Sequence, residues 1–457
     1  MLIFINLLFF IVSMLFYYSA PVDYDFNFCL AINTAFIVQN IFYFFLTKRS
    51  LISFEFFFLF SFYLVNFVYP VFYFPTNPTF SNFSFAFNHR VICRSTAIAF
   101  VAYSSYMFGL SLKKFKEVKK IDFIGLILTK AFFRNLLFLF VILAVAFIGI
   151  IGMSFFDGNQ WLLDMSEKGE GIAISTYVTY AACLYAMFMF FIIAPKKRFF
   201  YSSIMVVFIL AYLMSGSRTL PVGLTTILIV SYNDKIKKIP TSLFVGLVGA
   251  GVFLLSLIAT VRSGNIIDGI FESKSNLITE SESIFDFGAD LIVCNRNLYV
   301  LVDYVDANGL SYGINMISGV LGIIPGLVNF SVAQLGIPVD LITTAGFATV
   351  LEFGINSNWG LGGNMVAEVY LAFGFYAVII LFFLFGIFLS KVICNYKSNV
   401  YYYIAYLFLV STSIYMNREG FFMPFRGIIF CIVIFQIIKF VSANKRYSKK
   451  NSITSDN

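Results

Sequence analysis

The chain has 457 residues, 60% hydrophobic and 12% charged, with a mean hydropathy of +0.89 and a formal net charge of +8. That much apolar surface exceeds what a water-soluble core of this length can bury, so a soluble globular protein is excluded. Repeated apolar runs of about 20 residues, each long enough to cross a hydrocarbon layer roughly 30 Å thick, account for the composition directly.

In chain order, twelve such runs are predicted, at about 2–18, 28–46, 51–74, 91–112, 131–153, 173–194, 199–214, 219–232, 241–261, 365–388, 400–417 and 421–441. The fold class is therefore an all-α polytopic integral membrane protein of about 12 transmembrane helices. The first run has no basic n-region and no small-x-small cleavage site, so it reads as a retained helix rather than a secretory signal. Every second connection is lysine-rich: 47–49, 113–120, 195–198, 234–238, 391–397 and the tail after 442. The positive-inside rule places these connections and both termini in the cytoplasm. The expected organisation is helices one to nine in 1–261, a large outer loop in 262–364, helices ten to twelve in 365–441, and a basic cytoplasmic tail in 442–457.

On this layout the two basic residue types separate. Eighteen of 20 lysines fall on the cytoplasmic side, Lys168 and Lys274 being the exceptions, whereas seven of 11 arginines fall on the outer side or just within its span ends. These are Arg90, Arg94, Arg218, Arg262, Arg296, Arg418 and Arg426. Lysine sets orientation; a guanidinium, always charged and able to bind two oxygens at once, suits phosphate or carboxylate. Arg90 and Arg94 read as span-end residues reaching for headgroups. Any single arginine could also simply pair with an acid of the outer face.

The outer segment between the ninth and tenth runs is about a hundred residues long. It opens with a polar, acidic part, continues with amphipathic stretches at 294–306 and 314–324, and closes with FGINSNWGLGGN. A loop of that length with moderate hydrophobic content is expected to fold on the membrane surface and to carry function. The six cysteines show no CxxC pairing and read as small apolar residues. The single histidine, His89, excludes a multi-histidine metal site.

Chemistry is expected in five places: SGSRTLP with Arg218, ATVRSGN with Arg262, NRNLYVLVDYVD with Arg296, Glu352 with Glu368 across FGINSNWGLGGNMVA, and NREGFFMPFRG with Arg418 and Arg426. Arg426 and Glu368 each lie just inside a span, where a charge normally faces a partner or a water-filled cavity. Glu368 is therefore expected to meet Arg426 or Arg418, either as a helix-joining pair or as part of a site. With no histidine cluster and no nucleotide loop, a cytoplasmic ATP or nucleotide-sugar enzyme is excluded. Several arginines about an outer cavity suit a lipid-linked diphosphate held at the outer leaflet. Guanidinium groups would neutralise it as a leaving group, while Glu368 or Glu352 accepts the proton of an attacking sugar hydroxyl.

The combination of GLGGNMVAEVYLAFGFYAV, a preceding large outer loop, an upstream SGSRT and a late NREG…PFRG resembles the O-antigen polymerase family, the Wzy-type oligosaccharide repeat-unit polymerases. The Arg-x10-Gly loop motif of some members is absent here. The resemblance implies a GT-C-like helical fold in the bacterial inner membrane, with the large loop in the periplasm. It implies polymerisation of undecaprenyl-diphosphate-linked repeat units, without nucleotide sugar, metal or other cofactor. A chain-length-regulating co-polymerase and a flippase are the implied partners. The competing readings are an O-antigen ligase, against which the lack of a histidine in the large loop weighs, and a lipid-linked oligosaccharide flippase or other transporter, which would have shorter connections.

Overall fold

The computed structural model describes residues 1–113, 130–151, 171–191, 195–215, 217–249, 251, 285, 288–324, 326–355, 357 and 360–454. Arg262, the acidic opening of the large loop and most of the ninth predicted run lie outside these residues. Among the described residues the secondary structure is helical, without strands. The principal helices are α1 (Leu2–Tyr18), α2 (Phe26–Thr47), α3 (Phe54–Asn66), α4 (Ile92–Ser111), α5 (Lys130–Ile151), α6 (Gly171–Phe188), α7 (Pro195–Met214) and α8 (Thr219–Lys235). They continue with α9 (Ala289–Ile292), α10 (Asn295–Asn308), α11 (Ile317–Leu321), α12 (Leu327–Leu335), α13 (Thr344–Phe353), α14 (Met365–Asn395), α15 (Val400–Thr412), α16 (Met416–Glu419) and α17 (Met423–Thr454).

Among the described residues, six segments are long and apolar enough to cross a membrane: Phe26–Thr47, His89–Ser111, Lys130–Ile150, Ile174–Phe191, Met365–Asn395 and Met423–Ala443. Leu2–Tyr18, Phe54–Asn66 and Val400–Thr412 are shorter apolar helices. Two predicted runs are cut short for local reasons. After α3 the chain enters a π turn, Tyr69–Tyr73, whose Pro70 has no amide hydrogen to continue an α-helix. The run at 400–417 breaks after Thr412 and restarts as the single turn α16. The exposed side chains of α1 and α2 include Phe4, Leu15, Ile41 and Phe45, the inverse of a soluble surface and the expected face toward lipid. The protein is a multi-pass membrane protein.

The chain divides into two compact units. The first comprises 1–117, 281–394 and 413–426. Its helices are joined by hydrogen bonds across apolar interiors, where such polar contacts help fix helix pairing. Gln39 Nε2 donates to Asn6 Oδ1 at 3.2 Å, and Ser104 Oγ donates to Gln39 Oε1 at 3.2 Å, tying α1, α2 and α4. α4 and α14 approach through glycine. A Cβ at Gly109 would run into the Phe383 carbonyl oxygen, and one at Gly386 into that of Tyr106. Phe58 of α3 packs between Tyr106 and Phe385 beside this crossing.

The second unit comprises 118–280, 395–412 and 427–457. Phe147, Val178 and Tyr212 form its buried apolar cluster. Gly223 of α8 lies 2.7 Å, measured from an added Cβ, from the Ser411 carbonyl oxygen of α15, and Thr226 Oγ1 donates to Val410 O at 3.3 Å.

Candidate active site in the large loop

The described part of the large loop folds onto the first unit rather than extending away from it. The two predicted amphipathic stretches become α10 and, after a 3-10 turn at Ile314–Met316, α11. α10 buries Arg296, Leu298, Tyr299, Leu301 and Val302 and exposes Asp306. Asn295 and Asn297 are buried as well, so the first turn is enclosed on all sides and only the C-terminal half of the helix has an exposed face.

The end of the loop is anchored by Asn364, which is fully buried. Its Oδ1 accepts from the amides of Val366 and Ala367 at 2.9 and 3.1 Å, capping α14. Its Nδ2 donates to Asn66 Oδ1 at 3.1 Å and to Cys294 O at 3.4 Å, so one side chain joins the end of α3, the start of α10 and the start of α14. Asn297 adds Nδ2 bonds to the carbonyls of Leu361 and Gly362 at 3.1 and 3.0 Å. The glycines of GLGG are then a steric necessity. Gly362 has φ +74°, and a Cβ there would sit 3.2 Å from both Arg418 Nε and Cys294 Sγ. Gly363 N donates to Arg418 O at 2.7 Å, and its missing side chain leaves room for the Glu419 carbonyl oxygen. The loop thus lies directly on the backbone of α16.

The charged residues take up three arrangements. Arg296, 1% exposed at its side chain, donates from Nη2 to Glu352 Oε2 at 2.5 Å and to Ala86 O at 3.0 Å, with its guanidinium over the Phe85 ring. Its Nε and Nη1 are buried without a hydrogen-bond partner among the described residues. Arg418 pairs through Nη1 with Asp290 Oδ2 of α9, both side chains remaining about one-third exposed. Arg426 lies against α11, with Nη1 3.0 Å from the position a Cβ would take at Gly322.

Glu368 departs from expectation. It meets neither Arg418 nor Arg426; its buried carboxylate accepts from the amide of Phe421. A Cβ at Gly420 would lie 2.9 Å from Glu368 Oε2, so that glycine is needed for the carboxylate to reach the backbone. The physical reason is local: the chain turns at Gly420 between α16 and α17, leaving the Phe421 amide outside any helical ladder. A carboxylate is a strong acceptor for it.

Arg218 belongs to the second unit, at the N-terminus of α8, with its Nε buried and without a hydrogen-bond partner among the described residues. The structure therefore brings Glu352 to Arg296, and Glu368 to the strand of chain just beyond Arg418. Sequence reasoning missed Asp290, Asn364 and Glu419. Asn364 and Glu419 stand inside the quoted motifs GLGGN and NREG, Glu419 directly beside Arg418. Burial pushes the Glu419 carboxyl up to about 7, against the opposing pull of Arg418. Among the described residues no group of three or more histidine, cysteine or carboxylate side chains forms a metal cage.

No curated protein and no solved structure matches the chain. The family model of the O-antigen polysaccharide polymerase Wzy matches residues 1–451, nearly the whole sequence, and the chain belongs to that family.

Proposed function

We propose that this polymerase joins undecaprenyl-diphosphate-linked oligosaccharide repeat units at the periplasmic face of the bacterial inner membrane. The growing glycan passes from its lipid carrier to the non-reducing sugar of an incoming lipid-linked unit, and each transfer releases undecaprenyl diphosphate. The observation that carries this reading is the family match over nearly the whole chain. The corner formed by the GLGG loop, α9 and α16 supports it. It offers a partly exposed guanidinium, Arg418, beside carboxylates, on elements held rigid by Asn364 and Asn297.

In this reading Arg418 and Arg426 bind diphosphate oxygens and offset the charge that develops on the leaving group. Arg218, in the second unit, and Arg262 are further candidates for binding a lipid-linked diphosphate. Arg296 is engaged by Glu352 and Ala86, and its role is to hold α10 and α13 in register beneath the loop. Twelve spans with both termini cytoplasmic, a chain-length-regulating co-polymerase and a flippase complete the picture. The test is genetic and biochemical. Deleting the gene should leave single repeats on the lipopolysaccharide core. The purified protein in liposomes should convert lipid-linked units extracted from that strain into a ladder, with release of undecaprenyl diphosphate. Polymer accumulating on the carrier in the deletion strain would identify a ligase instead, and units trapped on the cytoplasmic side a flippase.

A further inference from the structure

We infer that Glu419, rather than Glu368 or Glu352, is the group that takes the proton from the acceptor hydroxyl; this rests on the polymerase reading above. A general base needs a fixed position and an unoccupied lone pair within reach of the reacting hydroxyl. The acids around the loop corner differ in just that respect. Glu352 is committed to Arg296 at 2.5 Å. Asp290 is committed to Arg418. Glu368 is buried, holds the Phe421 amide and is walled in by Gly420.

Glu419 stands apart. Its side chain is half-buried and makes no hydrogen bond or ion pair among the described residues. Its backbone, by contrast, is pinned on two sides: its amide donates to Tyr415 O at 3.0 Å, and its carbonyl oxygen abuts Gly363. It directly follows Arg418, the guanidinium assigned to the diphosphate, and directly precedes the Gly420 that Glu368 contacts. A base adjacent to the leaving-group cation suits a displacement in which both partners meet at one corner.

The step is balanced as follows. The acceptor hydroxyl oxygen bonds to the donor sugar's anomeric carbon. The bond from that carbon to the diphosphate oxygen breaks, and its electron pair leaves on undecaprenyl diphosphate. The hydroxyl proton goes to the Glu419 carboxylate. Glu368 is a positioning residue, fixing the Gly420–Phe421 backbone on which Glu419 hangs.

Charged and titratable neighbours come from each packed element: Arg418 on α16 itself, Asp290 on α9, Cys294 before α10, and Glu368 on α14. α3, which packs on α16, commits its own titratable groups elsewhere: the Tyr63 ring meets Phe36 and Phe285, and Glu55 is held by Arg49 at 3.2 Å. Of these, Arg418 is the charge that acts on Glu419.

The experiment uses the full-length protein in liposomes, with lipid-linked repeat units from the deletion strain as probe. Initial rates of undecaprenyl diphosphate release are measured between about pH 5.5 and 8.5. The wild-type rate should fall tenfold per pH unit below about pH 7, because the ionised form is the active one and is lost as pH drops. Glu419→Gln should lose about 100-fold or more in turnover with KM little changed. Glu419→Asp should retain part of the rate and the acid limb, and Glu368→Gln should lower the rate while keeping the limb. A Glu419→Gln rate within about threefold of wild type, or a wild-type profile flat across this range, would overturn the assignment. If Glu419→Gln folds poorly, the wild-type profile and Glu419→Asp decide it. If wild-type protein makes no polymer from these units, it is the polymerase reading that fails.

Discussion

Two arginines chosen for the same property, a fixed positive charge on the outer side, have opposite environments. Arg296 is almost wholly buried against Glu352, Ala86 and Phe85, whereas Arg418 and Asp290 are each about one-third exposed. Removing one partner of a buried pair leaves an uncompensated charge and costs roughly 3–5 kcal/mol, whereas a solvent-screened pair is worth about 0–1 kcal/mol. Arg296→Ala should therefore lower the melting temperature of the detergent-solubilised protein sharply, with activity lost as a consequence of unfolding. Arg418→Ala should melt close to wild type yet lose polymerisation. Thermal denaturation alongside the liposome assay separates the two, and an Arg418→Ala protein that melts far below wild type would make that residue structural instead.

Among the elements, α14 is the most informative because its helical course is interrupted. Gly374 has φ +79° and ψ −169°, a region open essentially to glycine, inside a segment apolar enough to span a membrane. A broken ladder in hydrocarbon requires protein partners. Ser311, from the folded loop, supplies them: its amide and Oγ donate to Leu371 O at 2.9 and 3.2 Å. Asn315 Nδ2 likewise donates to Glu368 O at 3.0 Å. The loop is thus bonded to the first turns of α14, and Gly374→Ala should destabilise the protein by about 1–3 kcal/mol, measurable as a lowered melting point. A neutral effect would mean that the break is not needed. This is also where sequence reasoning reached its limit. The apolar runs marked α1, α2 and α4 closely, and the amphipathic periods located α10 and α11, because burial of one face is written in residue order. The close backbone approach at GLGG is equally local, since a side chain at Gly362 or Gly363 would meet Arg418 or the Glu419 carbonyl oxygen. The partners of Glu368 were not legible: a buried carboxylate suggested a cation, and the peptide amide that takes its place leaves no trace in composition. The Arg296–Glu352 pair, 56 residues apart in sequence, depends on how α10 and α13 dock, which no local pattern records.

At the scale of the whole molecule, the separation of lysine from arginine makes a claim about orientation that every assignment above depends on. On the twelve-span layout expected from the sequence, Lys113, Lys196, Lys235 and Lys391 fall in alternate connections, whereas Arg296 and Arg418 fall in the others. If the positive-inside rule governs this chain, a probe that cannot cross the membrane should reach the folded loop but not the tail. Ala307, exposed near the end of α10, and Ser448, near the C-terminus, are suitable reporters. Of the six native cysteines, Cys394 alone is not buried, so Cys394→Ala provides a quiet background. In spheroplasts, Ala307→Cys should react with a membrane-impermeant maleimide, and Ser448→Cys should react only once the membrane is opened. The reverse pattern would place the α16 corner on the cytoplasmic side. There the lipid-linked acceptor and the polymer would face the wrong compartment, so the same result would remove Arg418 and Glu419 from the reaction.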